Sequence, residues 1–386
     1  MAACGDDSGD DDESGLTGGS GGTSGSGKGG NGATGNIDIG QGGDNGGGGD
    51  DTNNVGGNDC GRTPFASQPT PVNVLWVIDQ SLSMTQNEIE AGATRWDALI
   101  PAVEAALSGS QENISYGLYL YPAGDACGVS AEIDVAVEAA ADAEADITAA
   151  LNAAEPAGGT PTAQALATAR TYFTTGAGAD LEGDNYVLLA TDGGPNCNED
   201  LTCEAAQCTL NIEQLGVCED QSINCCDGDP TQCLDDAATL AAVQGLAEDN
   251  VKTIVVGIPG TEDYATLLES LADAGGVTNP DGPPSYFVVE AGNAAGLEEV
   301  LSSITMGVIR SCEFQLEEQP PDIDGLRVYI GDDEIEYDAD GMEGWTFSDP
   351  MTEPPTVVLV GTTCEDIKQT GAQEVNVIYD CIEPPR

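Results

Sequence analysis

Three short segments carry residues that could do chemistry together. The first is "VIDQSLSM", which spaces Asp79, Ser81 and Ser83 as D-x-S-x-S. The second is "GGTPTAQAL", with Thr160 behind two glycines. The third is "LLATDGGPN", with Asp192 just past an apolar run. Two carboxylates and three hydroxyls form a hard, all-oxygen donor set, which suits Mg²⁺ or Mn²⁺. Mg²⁺ asks for six oxygens and tends to keep water. Ser81 and Ser83 lie two residues apart at a turn into a helix, so both hydroxyls can face one point. A coordination position left open would accept an oxygen from a partner, most naturally an Asp or Glu carboxylate.

Other chemistry is poorly supplied. The chain has no histidine, which removes the commonest general base, the His-activated nucleophiles and the imidazole ligand for zinc or copper. An Mg²⁺-dependent phosphohydrolase with Asp79 as nucleophile is the enzyme to weigh. Haloacid-dehalogenase-type phosphatases use a second Asp two residues on, and here that residue is Ser81. The expectation is a binding protein and not an enzyme. A structural surface scaffold whose metal site is vestigial is the alternative. The net charge of −59, from 9 Lys and Arg against 68 Asp and Glu, sets the chain against nucleic acid phosphates and anionic lipid.

The three segments need a frame that brings them together. "VNVLWVID" (72–79) is a continuous apolar run ending in a polar turn, as in a buried parallel strand. A helical stripe follows at Trp96, Leu99, Ile100, Val103 and Leu107. Strands are expected at 114–122, 131–138, 185–191, 251–258 and 285–290. Helices are expected at 141–154, 162–173, 234–250, 264–276 and 294–309, with Thr162 as a cap of its helix. This alternation predicts an α/β fold with a doubly wound, mostly parallel, Rossmann-like sheet and helices on both faces. Each motif falls where a strand yields to a loop, so the carboxyl ends of the strands deliver all three to one crevice.

Around this domain, expected at 60–311, composition marks three other segments. Residues 1–59 are Gly, Ser, Asn and Asp with few large apolar side chains, and read as a disordered tether. Residues 195–233 hold seven of the 13 cysteines and read as an insertion stapled by disulfides. Adjacent Cys225 and Cys226 should bond to different partners, because vicinal cysteines rarely meet disulfide geometry. Residues 312–386 alternate in short β-branched runs broken by Gly and Pro, and read as a small all-β domain. Cys312, Cys364 and Cys381 are the cysteines available to staple it. Disulfides imply an oxidising compartment. The apolar runs fall short of the ~20 residues of a membrane span.

The order D-x-S-x-S, G-G-T-x-T, T-D-G, each behind its own strand, resembles the von Willebrand factor type A domain over roughly 70–311. In that family these motifs form a metal-ion-dependent adhesion site. The resemblance implies that Ser81, Ser83 and Thr160 ligate Mg²⁺ or Mn²⁺ directly, and that Asp79 and Asp192 act directly or through water. It implies adhesion to a protein or glycan that presents a carboxylate. The opening Met-Ala-Ala-Cys-Gly-Asp-Asp resembles a bacterial lipobox, which makes Cys4 the lipidation site and expects a signal segment upstream or already removed. The whole layout looks like the Cys-rich type A lipoproteins of delta-proteobacteria. The expected location is outside the cytoplasm: the cell surface or the outer membrane as a lipoprotein, or else the periplasm or the medium as a secreted protein, with membrane contact only through a lipid on Cys4.

Overall fold

The sheet order follows from which strands are buried on both faces. In the computed structural model, β1 (Thr63–Phe65) and β2 (Ser67–Pro69) lead into β3 (Val72–Asp79), all eight of whose residues are buried. Next come α1 (Ser83–Gln86), a hairpin of β4 (Glu88–Glu90) and β5 (Ala93–Thr94), and α2 (Arg95–Ser108). Then follow β6 (Ile114–Tyr121), β7 (Val135–Ala139), α3 (Ala140–Ala153), α4 (Thr162–Thr174) and β8 (Asp184–Thr191). Beyond the short α5 (Thr209–Ile212) lie α6 (Asp236–Glu248), β9 (Val251–Gly257), α7 (Ala265–Gly275), β10 (Phe287–Val288) and α8 (Ala294–Ser303). The structure describes residues 63–379 apart from 66, 109–113, 215–217, 219, 221, 291–292, 306–311, 321–322, 332, 349–353 and 371–374. The expected tether, Cys4, Cys60 and Cys381 lie outside the described residues.

The main sheet runs β10-β9-β8-β3-β6-β7. All pairings are parallel except β6 with β7. Alternate residues of β3 feed two cores. Val74, Trp76 and Ile78 pack with α2, α3 and α8 on one face. Leu75 and Val77 pack with α4, α6 and α7 on the other. Each such fully buried side chain contributes about 1.5–3 kcal/mol. The chain leaves β3 toward β6 and β7, then returns to the opposite side as β8. That reversal opens a crevice at the carboxyl ends of β3 and β8.

The edges depart from the expected pattern. The strand expected at 131–138 begins only at Val135 and runs antiparallel. The one expected at 285–290 shrinks to two residues beside the end of β9. The helix expected at 294–309 is described to Ser303. Thr162 does not cap its helix. It is the first helical residue, behind Pro161, and its hydroxyl turns back to the Thr160 carbonyl at 3.4 Å.

Two antiparallel sheets share one core beyond Cys312. Their strands are β11 (Glu313–Leu316), β12 (Leu326–Ile330), β13 (Asp333–Ile335), β14 (Gly344–Phe347), β15 (Thr356–Val360) and β16 (Val375–Tyr379). Here β1 pairs with β16 and β2 with β11, so residues ahead of β3 complete the sheets of this module. A helix, α9 (Thr362–Thr370), also packs here. Cys312 bonds to Cys364. The insertion is stapled by Cys203–Cys233, Cys208–Cys226 and Cys218–Cys225, and Cys197 reaches out of it to Cys127. The vicinal pair does take two different partners. Among the described residues no helix is long and apolar enough to cross a membrane.

Candidate metal centre

Asp79 is the last residue of β3 and is fully buried. Its Oδ1 accepts from the Ser81 N–H at 2.8 Å, and its Oδ2 accepts from the Thr191 hydroxyl at 2.7 Å. Neighbouring parallel strands make this possible, because Ile78 lies opposite Ala190 and the strands end side by side. The Ser81 and Ser83 hydroxyls stand 2.9 Å apart, and Ser83 donates to Asp192 Oδ1 at 2.7 Å. A serine hydroxyl has one proton. Ser83 gives its proton to Asp192, so Ser81 must donate to Ser83. The protons therefore run toward the carboxylate, and lone pairs on both serine oxygens stay available to a cation.

Thr160 enters through its backbone. Its N–H donates to Asn196 Oδ1 at 2.8 Å, and its carbonyl accepts from the Asn196 N–H at 2.9 Å. On the other side, Leu82 donates to the Gly158 carbonyl and Ala157 to the Gln80 carbonyl. The glycines allow this closeness. Gly158 has φ +86°, and a Cβ there would lie 2.4 Å from the Ala126 carbonyl oxygen. The structure thus joins Asp79, Ser81, Ser83 and Asp192 in one hydrogen-bonded cluster. It ties the Thr160 loop to both neighbouring loops. Among the described residues the Thr160 hydroxyl makes no hydrogen bond to the other four candidates, so it is the loop backbone that the structure ties to the cluster's surroundings.

Three participants, Arg95, Glu213 and Tyr264, lie outside the motifs, and a fourth, Thr191 of T-D-G, has a role the motifs did not assign. Thr191 fixes Asp79. Arg95, the first residue of α2, pairs its Nη1 with Asp192 Oδ2 at 2.5 Å. Glu213, from the insertion, accepts from the Tyr264 hydroxyl at 2.7 Å, and its charge bears on both Asp192 and Arg95. One signal could have flagged Arg95: it is one of only nine basic residues and heads an amphipathic helix close behind the D-x-S-x-S segment.

The electrostatics leave the cluster short of positive charge. Burial pushes the Asp79 carboxyl up to about 7, the Asp192 charge adds to this, and the hydrogen bonds from Ser81 and Thr191 oppose it. Burial also raises Asp192, against the pull of Arg95. Burial raises Glu213, against its bond from Tyr264. Two desolvated carboxylates with one guanidinium are stabilised further by any added cation. Among the described residues no group of three or more His, Cys, Asp or Glu side chains could hold a metal ion; the oxygens this cluster brings together are those of two carboxylates and two serine hydroxyls. That set fits a hard divalent ion and suits a soft one poorly.

Comparison with known proteins matches residues 73–301 to the von Willebrand factor type A domain. The fold is similar to the vWF domain of the type V pili tip protein Mfa5 from Porphyromonas gingivalis, at 18% identity over 63% of this chain and 97% of that one (TM-score 0.41). It is similar to the pilus adhesin SpaC from Lactobacillus rhamnosus GG, at 17% identity over 82% of this chain but only 40% of that one (TM-score 0.45). It is similar as well to the manganese-loaded TRAP protein of Plasmodium vivax, at 14% identity over 62% and 77% (TM-score 0.37). No curated protein matches the chain. The family match covers more than half of the sequence, and the chain belongs to the von Willebrand factor type A domain family.

Proposed function

We propose that the chain is a surface binding protein that captures an acidic group of a partner protein or glycan through Mg²⁺ or Mn²⁺ held by Asp79, Ser81, Ser83, Thr160 and Asp192. The observation that carries this reading is the directed chain from Ser81 through Ser83 to Asp192. It leaves lone pairs on both serine oxygens beside two buried carboxylates. When bound, the ion would offer an open coordination position to a partner carboxylate.

Two features favour binding over catalysis. Both oxygens of Asp79 are engaged and the residue is fully buried, which is a poor state for a nucleophile. No histidine is present to act as a base. The insertion would border the ligand face, since Asn196 holds the Thr160 backbone and Glu213 reaches the neighbourhood of Asp192. Three further points belong to the same proposal: Cys4 carries the lipid, residues 1–59 are the tether, and the protein acts at the surface of the cell. The oxidising compartment that disulfides require supports the last of these.

The vestigial-site scaffold has one observation in its favour, namely that Arg95 already satisfies one oxygen of Asp192. Calorimetric titration of Mn²⁺ with and without acetate separates the readings. On the proposal acetate tightens Mn²⁺ binding, because it fills the open position, and Ser81→Ala abolishes the effect. Indifference to Ser81→Ala would favour the scaffold.

A further inference from the structure

Asp192 is divided between two kinds of partner. Oδ1 faces the serine hydroxyls, and Oδ2 holds the Arg95 guanidinium. Arg95 is far from a surface charge. Its side chain is 12% exposed, and its Nε is buried with no hydrogen-bond partner. The backbone of Gly260 lies against it. A Cβ at Gly260 would stand 2.6 Å from Nη2, 2.7 Å from Nη1 and 2.5 Å from the Asp192 carbonyl oxygen, and the residue has φ +122°. A guanidinium with an unsatisfied N–H in so tight a seat costs desolvation. What it gains there is the second oxygen of Asp192.

We propose that Arg95 is a resident counter-cation: it keeps the acidic cluster assembled without metal and raises the divalent-ion concentration needed to fill it. This rests on the metal reading above. With both carboxylates ionised, the state that metal binding requires, Asp79 and Asp192 beside Arg95 carry one uncompensated negative charge, and a divalent ion would overshoot it. Without Arg95 the pair carries two, which a divalent ion matches. Two cations sharing Asp192 repel each other at short range in a desolvated site. The metal therefore binds more weakly than its donor set alone would allow, while the empty loops stay in register. The consequence is a threshold, with the site filling only where divalent ions are plentiful.

The test is Mn²⁺ titration into the full oxidised chain, in wild type, Arg95→Gln, Arg95→Lys and Asp79→Ala, with thermal unfolding of each in chelator and in saturating Mn²⁺. Arg95→Gln should bind Mn²⁺ roughly ten-fold tighter or more. It should melt lower than wild type in chelator and regain the difference in Mn²⁺. Arg95→Lys keeps the charge and should stay near wild type in both measurements. If Arg95→Gln is unfolded in chelator and Mn²⁺ refolds it, the proposal stands; if Mn²⁺ does not, Arg95 is a packing residue and the proposal fails. Equal or weaker Mn²⁺ binding by Arg95→Gln, with binding lost in Asp79→Ala, overturns the counter-cation role and leaves the metal site intact. No binding in wild type or Arg95→Gln overturns both.

Discussion

The Ser83 hydroxyl donates to Asp192 Oδ1 at 2.7 Å across 109 residues of sequence. That contact welds the loop after β3 to the loop after β8, and it aligns the Ser81 and Ser83 oxygens. Ser83→Ala should cost about 1.5–3 kcal/mol of metal-free stability, the range for a hydrogen bond to a charged group. It should also weaken Mn²⁺ binding at least about ten-fold, as one oxygen ligand is lost and another is misaligned. Chemical denaturation in chelator and calorimetry would read the two effects separately.

The acidic cluster should make metal-free stability depend on pH. Asp79 titrates near 3.9 when unfolded and is raised to about 7 when folded. A raised carboxyl contributes fully below its unfolded value. Its contribution falls as pH rises from about 4 to about 7, because the unfolded chain ionises first. In chelator, wild type should therefore lose stability relative to Asp79→Asn across that window. Saturating Mn²⁺ requires the ionised form, so the metal's stabilisation should grow over the same range. Melting temperatures at stepped pH, with and without Mn²⁺, check both slopes, and a constant offset from Asp79→Asn would contradict the account.

Cys127–Cys197 joins the loop after β6 to the loop after Asp192. Cys197 directly follows Asn196, the residue that holds the Thr160 backbone. Replacing both cysteines by serine should cost about 2–5 kcal/mol, the usual range for a native disulfide. It should also weaken Mn²⁺ binding by releasing Thr160. The equivalent double replacement at Cys312 and Cys364, which pack with the core of the β module, should lower stability and leave Mn²⁺ affinity unchanged.

Leu75 is fully buried on the face of β3 that packs against α4, α6 and α7. Leu75→Ala should cost about 2–5 kcal/mol by opening a cavity. The strand ends are held by backbone ladders on both sides, so Mn²⁺ affinity in the folded state should be kept.

How much the sequence revealed depends on whether the determinants were local. β3 and β8 were legible because strands buried on both faces read as unbroken apolar runs. The motifs were legible because each sits directly behind its strand. α9 was not expected, because "TTCEDIKQT" is short and largely polar, with Cys364 and Ile367 its residues in the module's core. Its start is completed from a distance: the Glu343 carboxylate accepts from the Thr362 and Thr363 N–H groups. Pairing of β1 with β16 joins residues more than 300 positions apart, and no periodicity reports that. Arg95 stands next to the Trp96 stripe in sequence without belonging to it. Its partner lies 97 residues away, and an ion pair across loops leaves no trace in spacing.

The central claim is that one divalent ion is held by Asp79, Ser81, Ser83, Thr160 and Asp192. Calorimetric titration of Mn²⁺ into the full oxidised chain, beside Asp79→Ala and Ser81→Ala, tests it most directly. The account predicts one saturable site in the wild type that is lost in both variants, over whatever weak binding the remaining acidic residues share. Saturable binding that survives in both variants would contradict it.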